Sequence, residues 1–302
     1  MKKNIPPQQL HLPVLLDATL ALLMPQKGET YLDLTAGYGG HARAVLNGTG
    51  VPSNAVLVDR DENAIAELGS FKDAGATLLH ADFYQAAKQL AEEGKRFDMI
   101  LLDLGVSSPQ FDRAERGFSL VHDGPLDMRM DEREPLTAAK LVNTMSETKL
   151  ASVIYRYGEE PKSRAVARAI VRDRPFTTTA ELAATVANAT RWGRSKVHPA
   201  TRTFQALRIA VNRELELLES TLPVLLTLLA PGGRLAIISF HSLEDRIVKH
   251  FFKELIESGY EAEYTALTKK PISGATDDVH NPRARSAKLR AVVKIKNQKR
   301  KE

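Results

Sequence analysis

The 302-residue chain contains no cysteine. That absence excludes disulfides, thiolate zinc sites and cysteine nucleophiles, so any metal would fall to the eight histidines and the carboxylates. No pair of histidines stands in a His-Glu-x-x-His pattern, and no metal centre is expected. Long apolar runs are also missing: the longest, near Leu222 to Ala230, falls far short of the ~20 residues that span a bilayer. Met1 to Leu10 has lysines followed by prolines and glutamines where a signal peptide would be apolar. A cytoplasmic protein without a membrane partner is expected. Internal repeats are absent too.

Neither sign of charge dominates, with 42 Lys and Arg against 37 Asp and Glu, yet the positive charge is segregated. Residues 113–213 hold 18 basic against 11 acidic side chains, and residues 283–302 hold 9 against 1. The two remaining stretches are acidic. A central basic block and a basic tail suit a protein that holds a polyanion. The length, at ~150 residues per domain, favours two domains.

What is present is organised around Thr30 to Ala42. An apolar run stops at Asp33 and opens into Gly37-x-Gly39-Gly40-x-Ala42, the pattern of a strand feeding a tight turn that lets backbone N–H groups approach a ligand. Ala55 to Val58 reads as a second buried strand ending on Asp59, 22 residues past Gly37. An acid at that distance is where a nucleotide-binding βαβ unit places its ribose acceptor. Thr77 to Ala81 and Phe97 to Leu102 read as further strands, with helical patterns at His41 to Leu46, Asp61 to Leu68 and Tyr84 to Glu93. Continuous apolar strands alternating with helices predict a parallel sheet covered on both faces. Asp33, Asp59, Asp82 and Asp103 stand at four successive strand ends and are expected to line one rim.

The alternation lapses after Asp103. Gly105 to Gln110 and Arg116 to Met130 read as loops, and helices follow, with caps predicted at Thr137, Ser146 and Thr178. Arg164, Arg168 and Arg172 recur every four positions opposite Val166 and Ile170, a pattern that usually marks a solvated face. Arg202 to Leu229 is expected to be one or two helices with a kink or break at Pro223. Ala230 to Gly233 reads as a turn before a fifth strand, Arg234 to Phe240, with Ser242 and Asp245 capping the next helix. Tyr260 to Leu267 and Leu289 to Ile295 alternate like two last strands. The domains are therefore drawn as 1–112 with 207–302, and a helical insert at 113–206.

The glycine loop fits a dinucleotide site as well as a nucleoside site, so an NAD(P)-dependent oxidoreductase competes at this point with other nucleotide-dependent enzymes. Longer motifs carry a resemblance. Asp-Leu-Thr-Ala-Gly-Tyr-Gly-Gly-His (33–41), Asp-Leu-Gly-Val-Ser-Ser-Pro-Gln (103–110), Asp-Gly-Pro-Leu-Asp-Met-Arg-Met (123–130), His-Pro-Ala-Thr-Arg-Thr-Phe-Gln-Ala-Leu-Arg (198–208) and Ser-Phe-His-Ser-Leu-Glu-Asp-Arg (239–246) resemble the bacterial 16S rRNA cytosine-N4 methyltransferases, the RsmH/MraW family. The resemblance runs in order from about His11 to Arg290. It implies a class I S-adenosylmethionine (SAM)-dependent methyltransferase, Rossmann-like with a mostly parallel sheet and an inserted all-helical domain. The implied reaction is N4-methylation of a decoding-region cytidine of 16S rRNA in the small ribosomal subunit. Its cofactor contacts fall on Gly39, Gly40, His41, Asp59, Phe83, Asp103 and Gln110.

Those residues suit the roles. Asp59 can accept both ribose hydroxyls, Phe83 can stack on adenine or simply pack in the core, and Asp103 can serve the cofactor, the target amine, or both. His241 is a second proton-acceptor candidate, with a structural cap as the alternative. The missing cysteine also disfavours methylation of pyrimidine C5 through a thiolate adduct. Phe118 and the Arg116 to Arg129 loop are expected to cover a flipped base, and Arg129, His198, Arg202, Arg283 and Arg285 to contact RNA phosphates. The pattern admits a homodimer. It also leaves open a ribosome-assembly RNA-binding protein without catalysis.

Overall fold

A computed structural model describes residues 13–190, 198–257 and 262–295, apart from the side chain of Ser108. The chain divides into two units, 1–105 with 217–302, and 106–216. These bounds lie outward of the 113–206 expected for the insert.

The first unit is built on eight strands: β1 (Tyr31–Asp33), β2 (Ala55–Asp59), β3 (Thr77–His80), β4 (Phe97–Asp103), β5 (Leu229–Ser239), β6 (Tyr264–Ala266), β7 (Ile272–Ser273) and β8 (Lys288–Lys294). Their order is β3-β2-β1-β4-β5-β8-β6, with β7 also paired to β8. β1 to β5 run parallel, while β8 is antiparallel to β5, β6 and β7. Successive residues alternate between two buried clusters because strand side chains alternate faces. Tyr31, Met99, Leu101, Ala236 and Ile238 pack on one side with Leu23, Val45 and Phe71. Leu32, Ile100, Leu102, Leu235 and Ile237 pack on the other with Leu90, Leu222, Leu225 and Val248. The helices along this part of the chain are α1 (Leu16–Leu23), α2 (Gly40–Thr49), α3 (Glu62–Glu67), α4 (Gly69–Asp73) and α5 (Phe83–Glu92), then, later in the chain, α12 (Glu214–Leu228), α13 (Ser242–Ile256) and α14 (Gly274–Asp277). This is the α/β, mostly parallel, doubly wound architecture expected.

Two buried cations tie helix ends to the sheet. The Arg234 guanidinium donates to the Leu23 carbonyl closing α1 and pairs with Glu29 at 2.7 Å. Lys294 Nζ donates to the carbonyls of Leu226, in the last turn of α12, and Leu229, which opens β5. Burial of that ammonium lowers its pKa, since desolvation penalises the charged form.

The second unit holds α6 (Ser108–Asp112), α7 (Ala138–Thr144), α8 (Glu147–Gly158), α9 (Ser163–Asp173), α10 (Thr179–Thr190) and α11 (Thr201–Asn212). Its own core gathers Phe118, Leu126, Leu141, Ile154, Ile170, Phe176, Val186 and Phe204. The caps predicted at Thr137 and Thr178 form, the latter with Glu181 closing the capping box. Asn212 stitches the 123–130 segment in place: its Oδ1 accepts from Met130 N at 2.8 Å and its Nδ2 donates to Met128 O at 2.7 Å.

Three local expectations need correction. The helix break falls at Arg213, whose φ of 52° ends α11, and α12 runs on through Pro223. Ala230 to Gly233 do not precede the fifth strand; they are an irregularity inside it, because Leu229 and Arg234 pair with Phe97 and Met99. The cap of α13 is His241 with Glu244 rather than Ser242 with Asp245. Asp245 instead pairs with Lys288 and Arg290 across to β8. Residues 260 and 261 of the expected sixth strand, and residues 296–302 of the basic tail, lie outside the described residues.

Candidate cofactor site at the strand carboxyl ends

The strand order reverses between β1 and β4, and in an open α/β sheet the crevice beyond the carboxyl ends at that point receives ligands. The chain leaves β1 through Leu34, whose amide donates to Leu101 O, and Ala36, whose amide donates to Val58 O. The glycine loop is thus hung from both neighbouring strands before α2 begins.

Its glycines are required for different reasons. A Cβ on Gly39 would sit 2.5 Å from the Phe71 ring, and one on Gly40 2.5 Å from Pro13. Gly39 also has φ of 78°, in the left-handed region. Gly37 N donates to Asp59 Oδ2 at 2.8 Å, and Asp61 N donates to Oδ1 at 2.8 Å. Asp59 is therefore fixed by two amides, and each oxygen keeps lone-pair capacity for a further donor such as a ribose hydroxyl. Burial raises its pKa, against the lowering by the Asp61 and Gly37 amides.

Asp33 lies deeper. Tyr31 Oη donates to its Oδ2 at 2.8 Å and Thr35 N to its Oδ1 at 3.2 Å. Burial pushes its pKa up to about 7, the two hydrogen bonds opposing that rise. Asp103 is held by its own amide, which donates to Thr35 Oγ1. Its Oδ1 is buried without a hydrogen-bond partner, while Oδ2 lies 3.7 Å from His41 Nδ1. A quarter of the side chain remains exposed, but the shielded oxygen decides the direction: burial, then the neighbouring Asp33 and Glu244 carboxyls, raises the Asp103 pKa well above its ordinary value. Ser239 Oγ, at the end of β5, is likewise buried and unpartnered.

Asp33, Asp59 and Asp103 are thus gathered in the first unit. His41 is the basic side chain beside Asp103, and the Arg60 charge acts on Asp59, lowering its pKa against the rise from burial. His41 itself is turned into the fold, its Nε2 3.1 Å from the Val14 carbonyl, so the start of α2 rather than the ring is what it presents to the loop. Phe83 opens α5 half-buried against the core cluster. Asp82, just beyond the end of β3, is taken up by a cap: its Oδ1 accepts from Tyr84 N and Gln85 N at the start of α5. The His241 ring accepts from Glu244 N and caps α13, the structural alternative.

In the second unit Gln110 is buried, with Oε1 accepting from Ser107 N. Phe118 does not cover a base: it is 5% exposed in the helical core, with Phe111 packed edge-on against it and open to solvent. Arg116 is buried too, donating to the carbonyls of Arg129 and Met130. Arg129 is engaged internally with Asp127 at 2.7 Å and with the carbonyls of Glu132 and Glu134. His198 Nδ1 accepts from Ala200 N at the approach to α11, and Arg202 donates to Glu159 O. Arg283 and Arg285 are exposed in the first unit on the 3-10 turn Pro282–Ser286. Sequence reasoning missed Tyr31, Thr35, Pro13 and Phe71, whose roles depend on contacts that no motif spacing encodes.

A family model described as the MraW methylase family matches residues 8–295. A protein of Acidobacterium capsulatum is 47% identical over 300 residues, covering 95% of this chain and 99% of its own. Another, from a Cyanothece strain, is 48% identical over 295 residues, covering 97% of each. Both bear the name ribosomal RNA small subunit methyltransferase H.

Proposed function

The chain belongs to the MraW methylase family, and from that premise we propose that it transfers a methyl group from SAM to the N4 amine of a cytidine in 16S rRNA of the small ribosomal subunit. The observation that carries the choice of cofactor is the acid-lined rim. Asp33, Asp59 and Asp103 form a wall of carboxyl groups that meets His41 beside Asp103 and Arg60 beside Asp59. An NAD pyrophosphate would face that wall at an electrostatic cost, whereas a ligand with ribose hydroxyls and a cationic sulfonium end suits it. The orphaned Asp103 Oδ1 fits such a ligand as well.

When bound, SAM supplies an electrophilic methyl carbon on sulfur. The protein supplies position. Asp59 accepts the ribose hydroxyls, Phe83 offers an aromatic face for the adenine, and the loop from Gly37 to His41 holds the methionine end. Methyl transfer is an in-line displacement, so orientation and exclusion of water account for most of what a protein can contribute. The N4 lone pair is delocalised into the cytosine ring and attacks poorly until an acceptor holds an N–H and opposes that delocalisation. Asp103 Oδ1 is the acceptor offered. With SAM supplying the methyl, Asp103 in its ionised form would take the proton that N4 sheds, and its raised pKa would make that carboxylate the stronger base. Gln110, Arg202, Arg283, Arg285 and His198 belong to substrate and cofactor recognition in the same proposal. Arg129 acts there through the fold of the 123–134 segment.

The test is incubation with labelled SAM and small subunits isolated from cells lacking this protein, followed by mapping of the modified base. Wild type should label one cytidine at N4, and Asp103→Asn should slow labelling severely. Label in protein alone, or none, would end the proposal and favour an assembly factor without catalysis.

A further inference from the structure

The acids at the rim outnumber what cofactor anchoring needs. Asp59 is committed to two loop amides, whereas Asp103 and the Asp33 behind it face the site without a Lys or Arg partner among the described residues. SAM and the S-adenosylhomocysteine left after transfer have nearly the same shape. They differ by one methyl group and one positive charge, since the sulfonium becomes a neutral thioether. We propose that Asp103, backed by Asp33, lets this site distinguish the methyl donor from the spent product by charge rather than by shape.

The inference rests on the cofactor reading above and follows from the surroundings of the two carboxyls. On Asp103 they are His41 from α2, Asp33 and Tyr31 from β1, and Glu244 from α13; on Asp33 they are Tyr31 in its own strand and Asp59 from β2. Of these only His41 can carry positive charge. An ionised Asp103 therefore pays a desolvation cost that a cationic ligand relieves and a neutral one does not. The chemistry closes the cycle: transfer removes the charge from sulfur and delivers the N4 proton to Asp103. A neutral acid then faces a neutral thioether, and the attraction that held the donor is gone when product must leave.

Calorimetry on the full chain tests this with three ligands: SAM, S-adenosylhomocysteine, and sinefungin, which carries an amine where SAM carries its sulfonium. In wild type, the ratio of the product's Kd to the donor's should rise roughly tenfold as pH rises and Asp103 ionises, the worth of one unit of pKa coupling. Sinefungin should follow SAM. Asp103→Asn should hold the ratio nearly flat. SAM binding to wild type should also release protons, seen as a binding enthalpy that varies with the ionisation enthalpy of the buffer; this measurement needs no variant. If none of the three ligands binds, the cofactor reading itself fails. If they bind with a ratio independent of pH, or if Asp103→Asn keeps the wild-type rise, the cofactor reading stands and charge discrimination is overturned.

Discussion

Replacing Asp33 by Asn should make the cofactor-free protein more stable, and the size of the gain should depend on pH. The Asp33 carboxyl is buried beside Tyr31 and has its pKa raised from 3.8 to about 7. A carboxyl whose folded value lies above its unfolded value favours the fold while it is protonated. As pH rises past 4 the unfolded chain ionises first, so stability is lost progressively until the folded carboxyl also ionises near 7. A difference of about three units at 1.36 kcal/mol each gives an upper figure of ~4 kcal/mol. Asn does not ionise. Its Oδ1 can still accept from Thr35 N, and its amide can donate to the Tyr31 hydroxyl oxygen, so both contacts survive in the variant. Urea denaturation without cofactor, at about pH 8, 6 and 4.5, should show Asp33→Asn ahead by up to ~4 kcal/mol at the highest pH, with the gap closing toward the lowest. The same variant should bind SAM more weakly, since a destabilised site residue commonly marks function bought with stability. No gain at pH 8, or a gain that persists unchanged at pH 4.5, would refute the assignment of an ionisation cost to Asp33.

Asp59→Ala should weaken SAM binding by about ten- to a hundredfold, the loss of charged hydrogen bonds, while RNA affinity stays at the wild-type level; calorimetry showing unchanged SAM affinity would remove its ribose role. Asn212→Ala should cost about 2–4 kcal/mol in chemical denaturation by stranding Met130 N and Met128 O, and should leave SAM affinity intact; a loss under ~0.5 kcal/mol would mean that water replaces the amide.

Much of the sheet unit was legible because its signals are local. Apolar runs at Ala55 to Val58 and Phe97 to Leu102 are too continuous for half-exposed strands, and each became a parallel strand buried on both faces. The misplacements have physical causes. Pro223 suggested a break because its ring removes a helical hydrogen bond, yet α12 is packed through Leu218, Leu222, Leu225 and Leu228 and runs on; the chain turns where Arg213 takes a left-handed φ. The capping role of Asp82 was hidden because a strand-end acid and a helix-capping acid read alike when the helix starts one residue later. Phe118 and Arg116 carried the appearance of a substrate loop, and both are buried in the helical unit.

The sequence by itself determined the elements, the glycine loop, the family and the acids that could meet at one rim, because each is written in periodicity or in contiguous motifs. Only the tertiary structure decided which acids do meet and in what state. Asp82 spends its oxygen on a helix end, Asp59 is pinned by two amides, Asp33 is sunk under Tyr31, and Asp103 keeps a buried oxygen with nothing donating to it. Burial and partners set a carboxyl's charge, and both come from residues brought close by folding that the chain order does not announce.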